Sequence, residues 1–500
     1  MIFKMIKTNF MQTPSHKYLQ KWGLTENVSA PVADDSTPPQ REDRRNFLKK
    51  AGLGGLALGA FIKQPFAPTL EYASQKVNKS SAPTDLKITD MRYAVVMNGH
   101  ARCPIIRIDT NQGISGWGEV RDGATWRYAL FLKSRIIGMN PCNVEMIFKK
   151  IKQFGFHGRQ GGGVCAVEMA LWDLAGKAYG VPAYQMLGGK YRNKIRLYAD
   201  TPRLDDPSVF AAKMKDRIEN KGYTFLKMDF GLESLHKIPD TVVNSNFWDI
   251  SKQWENTQMT YGGTEHPFTQ IQITDKGLGI LADYIGKVRD VIGYNIPLAS
   301  DHYGHFDLNN AIRLGKAVDK YRLAWLEDMV PWKFTEQWKD ISDALETPTI
   351  TGEDIYLKED FIKLCDARAV DLIHPDLATS GGLLETKRIA DYAEEKGVAM
   401  AMHFAGTPIS FAANLHCAAA TQNFTALEHH SVDLDYWDNL IKKGDKPLIE
   451  KGFAIVPEGP GLGVELNEEE AKKHLDPEDN SYFRPTTEWD NMRTWDRLWS

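Results

Sequence analysis

The sequence of 500 residues has few of the features that mark a disulfide-stabilised, zinc-binding or nucleic-acid-binding protein. Its five cysteines are scattered and none forms a Cys-x-x-Cys motif, so we expect neither a disulfide framework nor a zinc knuckle. The formal net charge of -4 gives no electrostatic reason to expect a nucleic acid partner. With 42% hydrophobic and 25% charged residues, the chain has a globular composition and is long enough to form two cores.

We also expect no stable membrane span. The N-terminal region carries a short apolar stretch, residues 51–62, whose twelve residues are too few to cross a bilayer but suit the hydrophobic region of a signal peptide. Arg44 and Arg45 precede it, and the pair resembles the twin-arginine export signal, which carries proteins already folded. We therefore predict a leader and linker over residues 1–84 and a periplasmic protein. An ordinary basic leader on a cytoplasmic protein is the alternative.

Acidic or imidazole residues recur at nearly even intervals through the second half of the chain. Each closes a short apolar run, such as Ile-Pro-Leu-Ala-Ser before the first of them. One strand, one helix and two short loops take about 25 residues, so this period predicts a β/α barrel, in which all C-terminal strand ends lie on one face. The residues are Asp301, Glu327, Glu353, Asp376, His403 and Glu428, with separations of 26, 26, 23, 27 and 25 residues.

Two earlier apolar runs with charged ends, residues 194–200 and 223–229, bring the number of predicted strands to eight, which closes the barrel. The spacing fails once, because Asp229 and Asp301 are 72 residues apart. We therefore predict an insertion at about 231–275. Its aromatic residues favour a loop that covers the substrate; they are Trp248, Trp254 and Tyr261.

The region before the barrel has a different pattern. Residues 87–109 and 115–120 resemble antiparallel strands, with turns at Asn98-Gly99 and Gln112-Gly113. Helices follow, one with an apolar face made by Val164, Val167, Leu171 and Leu174. The predicted fold class is thus α/β: a modified TIM (β/α) barrel over 191–440, an N-terminal α+β capping domain over 85–190, and a C-terminal segment, 441–500, that returns toward the capping domain.

Together the strand-end motifs resemble those of the enolase superfamily in its mandelate racemase branch, and more closely the acid-sugar dehydratases of the mannonate and galactonate type. Those dehydratases also carry a long insertion after the second barrel strand. The resemblance covers roughly residues 86–463 and implies an Mg²⁺-dependent enzyme. The motifs are Lys227-Met-Asp229, Ser-Asp301, Leu-Glu327-Asp, Thr-Gly-Glu353, His-Pro-Asp376 followed by Gly381-Gly382, Met-His403 and Leu-Glu428.

The chemistry of these positions follows from the weak acidity of a hydrogen α to a carboxylate. Its removal puts a second negative charge beside the first, and a hard divalent cation offsets that charge. Asp301, Glu327 and Glu353 supply oxygen ligands from three consecutive strands, which suits Mg²⁺. The alternative is three solvated acids at the starts of loops. Three carboxylates at the same position of consecutive strands favour the metal site.

His403 and Asp376 end neighbouring strands, so the carboxylate can fix the imidazole tautomer and make the other ring nitrogen more basic. We predict His403 as the general base, or as the acid in the second half-reaction, with a satisfied core histidine as the alternative. By resemblance, Glu428 hydrogen-bonds the substrate carboxylate. Lys227, across the barrel mouth, offsets negative charge on the substrate.

Two departures from the family pattern concern the second acid/base residue. The racemases have Lys-x-Lys at the second strand, and here the second lysine is Asp229, a candidate substrate-binding residue. The dehydratases have a histidine two residues after the first metal ligand, where this chain has Tyr303. A phenol near a cation could protonate a departing hydroxyl. We favour Tyr303, with His305 and Lys227 as alternatives.

By the same resemblance, loops of the capping domain close the site and set its specificity. These are the turn near His100 and the glycine-rich loop at 158–163, which contains Arg159; plain turn and helix-entry chemistry is the alternative. We predict a homo-oligomeric Mg²⁺-dependent lyase that removes water from an acid sugar by β-elimination. Because of the export signal, a uronate-terminated oligosaccharide is a candidate substrate. The rivals are an epimerase or cycloisomerase, and a non-catalytic carbohydrate-binding relic.

Overall fold

The computed structural model describes residues 83–229, 231, 234–235, 238–243, 272–301, 306–442 and 447–492. Three groups of predicted features lie outside these residues: the leader with its arginine pair, most of the insertion with its aromatic residues, and the candidate acids Tyr303 and His305. Among the described residues, every helix is too short or too polar to cross a membrane.

The N-terminal part of the described chain is a three-stranded antiparallel sheet with helices packed on it, as the strand pattern predicts. The first hairpin turns at Gly99, which has a φ of 63°. Its strands are β1 (Ile88–Asn98), β2 (Ala101–Thr110) and β3 (Ser115–Glu119), and its helices are α1 (Arg127–Leu130), α2 (Lys133–Ile136), α3 (Val144–Ile151), α4 (Gly162–Tyr179) and α5 (Ala183–Met186).

Helix α4 differs from the one-sided helix that the sequence pattern predicts, because it is buried on nearly all sides. It packs against β3 on one side and against helices of the barrel on another. The approach to β3 is close: a Cβ added at Gly118 would lie 1.9 Å from the carbonyl oxygen of Ala166. A helix held between two layers has no solvent face, so its apolar residues cannot be confined to one stripe.

The predicted barrel is confirmed. Eight parallel strands pair in sequence, and the last pairs with the first, which closes the sheet. A short antiparallel pair, β6 and β7, lies between the second and third barrel strands. In chain order the strands are β4 (Lys194–Ala199), β5 (Leu226–Asp229), β6 (Val242–Val243), β7 (Gln272–Ile273), β8 (Leu298–Asp301), β9 (Leu326–Glu327), β10 (Thr349–Thr351), β11 (Leu372–Ile373), β12 (Ala399–Met402) and β13 (Phe424–His429).

The barrel helices begin at residues that are well suited to cap them. Asp307 accepts a hydrogen bond from Asn310 N, and Thr407 accepts one from Ile409 N with Pro408 at the first helical position. The helices are α6 (Pro207–Glu219), α7 (Asp275–Ile292), α8 (Leu308–Val318), α9 (Thr335–Ala344), α10 (Lys358–Ala367), α11 (Leu377–Ser380), α12 (Leu383–Glu395) and α13 (Pro408–Ala420).

The barrel interior has its own apolar cluster, to which nearly every strand contributes a residue. Below the site, Tyr198 and Trp325 pack edge to face with ring centroids 5.4 Å apart. This filled interior makes the barrel a rigid base for the residues at its strand ends. The cluster contains Tyr198, Phe225, Ala299, Trp325, Ile350, Ala401 and Ala426.

The C-terminal segment follows the barrel and contacts both layers. One hairpin of this segment adds antiparallel to the start of β4. Farther on, Leu475 and Tyr482 form isolated bridges with Val96 and Ala94 of β1. The elements are β14 (Ile441–Lys442), β15 (Ile449–Glu450), β16 (Phe453–Ile455), β17 (Glu465–Leu466) and α14 (Glu468–Lys473).

Candidate active site

A cavity of about 600 Å³ opens at the C-terminal ends of the barrel strands. Its walls come from the barrel and from the capping domain. Six residues that the sequence predicts for the site line it: His100, Arg159, Lys227, Asp301, Glu353 and His403.

Lys227, on β5, is buried among carboxylates. Its Nζ lies 2.6 Å from Glu428 Oε1, 2.9 Å from Asp301 Oδ2 and 3.5 Å from Glu327 Oε1. Burial by itself lowers the pKa of this lysine, but the negative charges of Asp301, Glu327 and Glu428 outweigh burial and raise the pKa well above its ordinary value. Lys227 is therefore a fixed cation.

Glu327 and Glu353 also have close polar neighbours. Trp325 Nε1 donates to Glu327 Oε2 at 3.1 Å, and His374 Nδ1 lies 3.0 Å from Glu327 Oε1. Glu327, Glu353 and His374 each place one potential ligand atom within 4.8 Å of the others. Burial raises the pKa of Glu353, but the charges of His403 and Arg121 outweigh it and hold the pKa below its ordinary value.

These donors fit a hard divalent cation. The buried Oε1 of Glu327 accepts no hydrogen bond within the described structure. The neighbouring carboxyl of Asp328 has a pKa raised well above its ordinary value, by burial and by the charges of Glu353, Asp301 and Glu327. Negative charge is thus in excess at this point, and all donors except His374 are oxygens, as Mg²⁺ prefers.

His403 follows β12 directly and bonds Asp376, which begins helix α11. His403 Nδ1 and Asp376 Oδ2 are 2.5 Å apart, and the other ring nitrogen, Nε2, lies 3.2 Å from Glu353 Oε2. Burial lowers the pKa of His403, but Glu353 and Glu428 raise it, with a net result of about 9. The sequence-predicted pair is therefore together in space, with Nε2 on the side of the metal-ligand candidates.

The other predicted residues lie at different depths. Glu327, Asp376 and Glu428 are buried beneath the cavity surface. Asp229 ends β5 and pairs in register with Asp301, but it is not among the residues that line the cavity.

Sequence reasoning missed His430, which lines the cavity just after β13. Its Nε2 lies 3.1 Å from Glu428 Oε1 and its Nδ1 lies 3.4 Å from Asp200 Oδ2. Burial lowers the pKa of His430, but the two carboxylates raise it to about 10. A signal was available, because His430 stands two residues after Glu428 at the end of the eighth strand.

Sequence reasoning also missed Arg121, which follows β3 in the capping domain. Its Nη2 donates to Glu353 Oε1 at 3.1 Å. The contact joins residues 232 positions apart, and no local pattern in the sequence predicts it.

The capping domain holds the loops of the barrel mouth through two buried acids. Glu119 Oε1 accepts from Thr407 N at 2.9 Å, at the start of α13. Glu168 Oε2 accepts from Leu383 N at 2.7 Å, at the start of α12. We call this contact, Glu119 and Glu168 with the two helix starts, the seam. His403 therefore stands four residues before a loop position that the capping domain fixes.

Comparison with known proteins agrees with this architecture. Residues 77–188 match the family model described as mandelate racemase / muconate lactonizing enzyme, N-terminal domain, and residues 209–471 match enolase C-terminal domain-like. The chain belongs to the mandelate racemase and muconate lactonizing enzyme family of the enolase superfamily, as the strand-end motifs predict.

Curated relatives are dehydratases. A D-xylonate dehydratase of Haloferax volcanii is 30% identical over 80% of this chain and 91% of its own length. A D-mannonate dehydratase of Caulobacter vibrioides is 29% identical over 78% and 95%. A crystal structure of a mandelate racemase/muconate lactonizing enzyme-like protein from Rubrobacter xylanophilus superposes with a TM-score of 0.68 at 27% identity, covering 80% of this chain and 99% of that one. The protein is thus an enzyme of the hydro-lyase class, the carbon–oxygen lyases that remove water.

Proposed function

We propose that the protein is an Mg²⁺-dependent dehydratase that removes water from an acid sugar by β-elimination. The observation that carries this proposal is the placement of His403. Its Nδ1 is 2.5 Å from Asp376 Oδ2, while Nε2 is 3.2 Å from Glu353 Oε2. One nitrogen is therefore held by its partner. A bound Mg²⁺ would offset the negative charges of Glu353 and Glu428 that raise the pKa of His403, and would leave the other nitrogen able to accept a proton.

Asp301, Glu327 and Glu353 would hold the cation. Bound Mg²⁺ would act as a Lewis acid toward the substrate carboxylate and offset the charge that develops on it. His403 Nε2 takes the α-proton while Asp376 keeps the ring oriented and stabilises its charged form. Lys227 supplies a second positive charge at the barrel mouth, and Glu428 is the candidate partner of the substrate carboxylate, as the family resemblance implies.

The second half of the reaction breaks the C–O bond at the β-carbon. The departing hydroxide takes a proton and leaves as water, and the resulting enol tautomerises to a 2-keto-3-deoxy acid. The contacts of Lys227 disfavour it as the proton donor, because carboxylates surround its ammonium and raise its pKa. We propose Tyr303 as the donor with His305 as the alternative; both lie outside the described residues.

The substrate class follows from the relatives and from the leader. The named relatives act on D-xylonate and D-mannonate, which supports an acid sugar with hydroxyls on its α- and β-carbons. If Arg44 and Arg45 direct export, the enzyme meets uronate-terminated oligosaccharides in the periplasm. His100 and Arg159, on the cavity wall, are candidates to contact the rest of the sugar. The homo-oligomeric state stays a prediction that light scattering would check.

Two other functions use the same fold. An epimerase needs a second base opposite His403, and the chain has Asp229 where the racemase pattern has that lysine. A carbohydrate-binding relic would be expected to lose ligand carboxylates first, and all three are present. Both observations favour the dehydratase.

The direct test is a screen of acid sugars and uronate oligosaccharides with purified protein and Mg²⁺. We expect a 2-keto-3-deoxy or unsaturated product that chelation of the metal abolishes. Isomerised substrate without loss of water would favour the epimerase or cycloisomerase, and tight sugar binding without turnover would favour the relic.

Export has its own test. Replacing Arg44 and Arg45 by lysine should leave the protein in the cytoplasm, folded and active, because the pair serves as an address. Fractionation of cells that express the two versions would measure this. Unchanged periplasmic delivery would contradict the export proposal.

A further inference from the structure

Arg121 is a buried cation that the capping domain contributes to the barrel mouth. Its side chain is 1% exposed. Nη1 donates to the carbonyl oxygen of Glu353 and to Thr379 Oγ1, each at 2.6 Å, and Nη2 donates to Glu353 Oε1 at 3.1 Å. The guanidinium therefore holds both the backbone and the side chain of a candidate metal ligand.

The same guanidinium also reaches the acid that orients His403. Its Nε lies 3.5 Å from Asp376 Oδ2, the oxygen that lies 2.5 Å from His403 Nδ1. His403 Nε2 is in turn 3.2 Å from Glu353 Oε2. Arg121, Glu353, His403 and Asp376 thus form a closed ring in which basic and acidic side chains alternate, which we call the charge ring.

The backbone around Arg121 is seated tightly against its neighbours. A Cβ at Gly162 would lie 2.7 Å from Arg121 N, and a Cβ at Gly161 would lie 2.7 Å from the carbonyl oxygen of Thr379. The glycine run at the start of α4 therefore allows the capping domain to approach the loop after the sixth barrel strand. This close packing leaves the arginine little freedom to move.

We propose that Arg121 is a positioning residue that fixes Glu353 and Asp376 relative to each other and thereby aims Nε2 of His403. The inference rests on the proposed function. The planar fork of a guanidinium presents its donors at fixed angles, whereas an ammonium is a point charge. The proposal therefore requires the geometry of arginine and not only its charge. It gives the capping domain a role in proton transfer besides substrate selection.

The experiment compares Arg121→Lys and Arg121→Met with a control from the same domain. Lys133 is equally buried at 1% exposure, and it pairs with Asp90 and Asp490, neither of which belongs to the charge ring or lines the cavity. Lys133→Met thus removes a buried cation without touching the site. Each variant is tested for thermal stability, for kcat and KM, for exchange of the substrate α-hydrogen with deuterated solvent, and for Mg²⁺ affinity by calorimetry.

We expect Arg121→Lys to recover much of the stability that Arg121→Met loses. Both should reduce kcat and α-hydrogen exchange in parallel by about 10²-fold, because small misplacements of reacting groups cost that much. KM should stay within about 3-fold of the parent, since Arg121 acts through other residues. Mg²⁺ affinity should fall by about 10-fold, as for other residues that orient metal ligands. Lys133→Met should lose stability and keep the parent kcat.

Three results would overturn the inference. They are a parent kcat in Arg121→Lys, a raised KM with preserved kcat in the Arg121 variants, and a fall in kcat in Lys133→Met as large as that in Arg121→Met. The first would show that charge suffices, the second that Arg121 binds substrate, and the third that the effect is general destabilisation. Failure of the proposed function gives a different pattern, in which the parent protein itself fails to bind Mg²⁺ or to dehydrate any acid sugar.

Discussion

At the barrel mouth, carboxylates are buried beside cations, whereas at the seam they are buried beside backbone N–H groups. The charges of His403 and Arg121 hold the pKa of Glu353 below its ordinary value, and Lys227 and His430 do the same for Glu428, both against the effect of burial. At the seam, burial raises the pKa values of Glu119 and Glu168 to about 8. Within the described residues, neither seam acid takes part in an ion pair.

The difference distinguishes the candidate active site from a structural contact between the two domains. Helix N-termini satisfy the oxygens of the seam acids, but they do not provide the full countercharge that the mouth provides. Near neutral pH, the mouth therefore keeps a set of charged groups and the seam keeps carboxyls that are largely protonated. Changes at the mouth should alter rate more than stability, and changes at the seam should do the reverse.

The largest expected effect is that of Glu327→Gln. The substitution keeps the shape of the side chain and removes one anionic ligand candidate, so kcat should fall by about 10³-fold or more, with the circular dichroism spectrum unchanged. Glu168→Gln is the matched seam variant, and it should lose about 1–3 kcal/mol of stability while keeping the parent kcat. Retained Mg²⁺-dependent turnover in Glu327→Gln would refute the metal assignment.

The second prediction assigns two residues of the barrel mouth to different halves of the reaction. His403→Asn should lose both α-hydrogen exchange and product formation, by about 10² to 10⁴-fold. Tyr303→Phe should lose product formation and still exchange the α-hydrogen with deuterated solvent, because only the leaving-group acid is gone. Mass spectrometry of recovered substrate measures the exchange. Dehydration by Tyr303→Phe at the parent rate would show that Tyr303 is not the proton donor and would favour His305 instead.

The third prediction concerns the pH dependence of the seam. Because the folded pKa of Glu119, about 8, lies above its ordinary value of 4.5, the folded protein keeps a proton that the unfolded chain releases between these pH values. The stability from this carboxyl is thus full below pH 4.5 and is lost as the pH rises toward 8. Glu119→Gln should flatten the fall in thermal stability between pH 5 and about 8. An unchanged slope would mean that Glu119 is ionised in the folded protein.

The smallest effect is expected at the rim of the cavity. Arg159 is 46% exposed and its Nη2 lies 3.4 Å from Asp122 Oδ2. Such exposed pairs contribute about 1 kcal/mol or less to stability. Arg159→Gln should therefore leave the melting temperature nearly unchanged and should raise KM if the residue contacts substrate. A KM equal to that of the parent would remove Arg159 from the candidate substrate contacts.

The sequence predicted the fold and the site best where residues recur at a regular spacing or stand at the end of a strand. The barrel follows from the spacing, and the positions of Asp301, Glu327 and His403 follow from the ends of their strands. The same rule would have found His430, which stands at the end of the eighth strand. Arg121 and the seam acids could not be found in this way, since their partners in the barrel are 215 to 291 residues distant and only folding brings them together.

The pairing of β1 with the C-terminal segment has a consequence for the order of assembly. Met97 N donates to His474 O at 2.8 Å, and Phe483 N donates to Tyr93 O at 2.8 Å. During synthesis, the first strand of the capping domain must therefore wait for a partner that the ribosome releases only after the entire barrel. A nascent chain that ends before residue 474 would leave this edge of β1 open to other strands. The capping domain should thus complete this edge of β1 only late in translation, after the whole barrel has been synthesised.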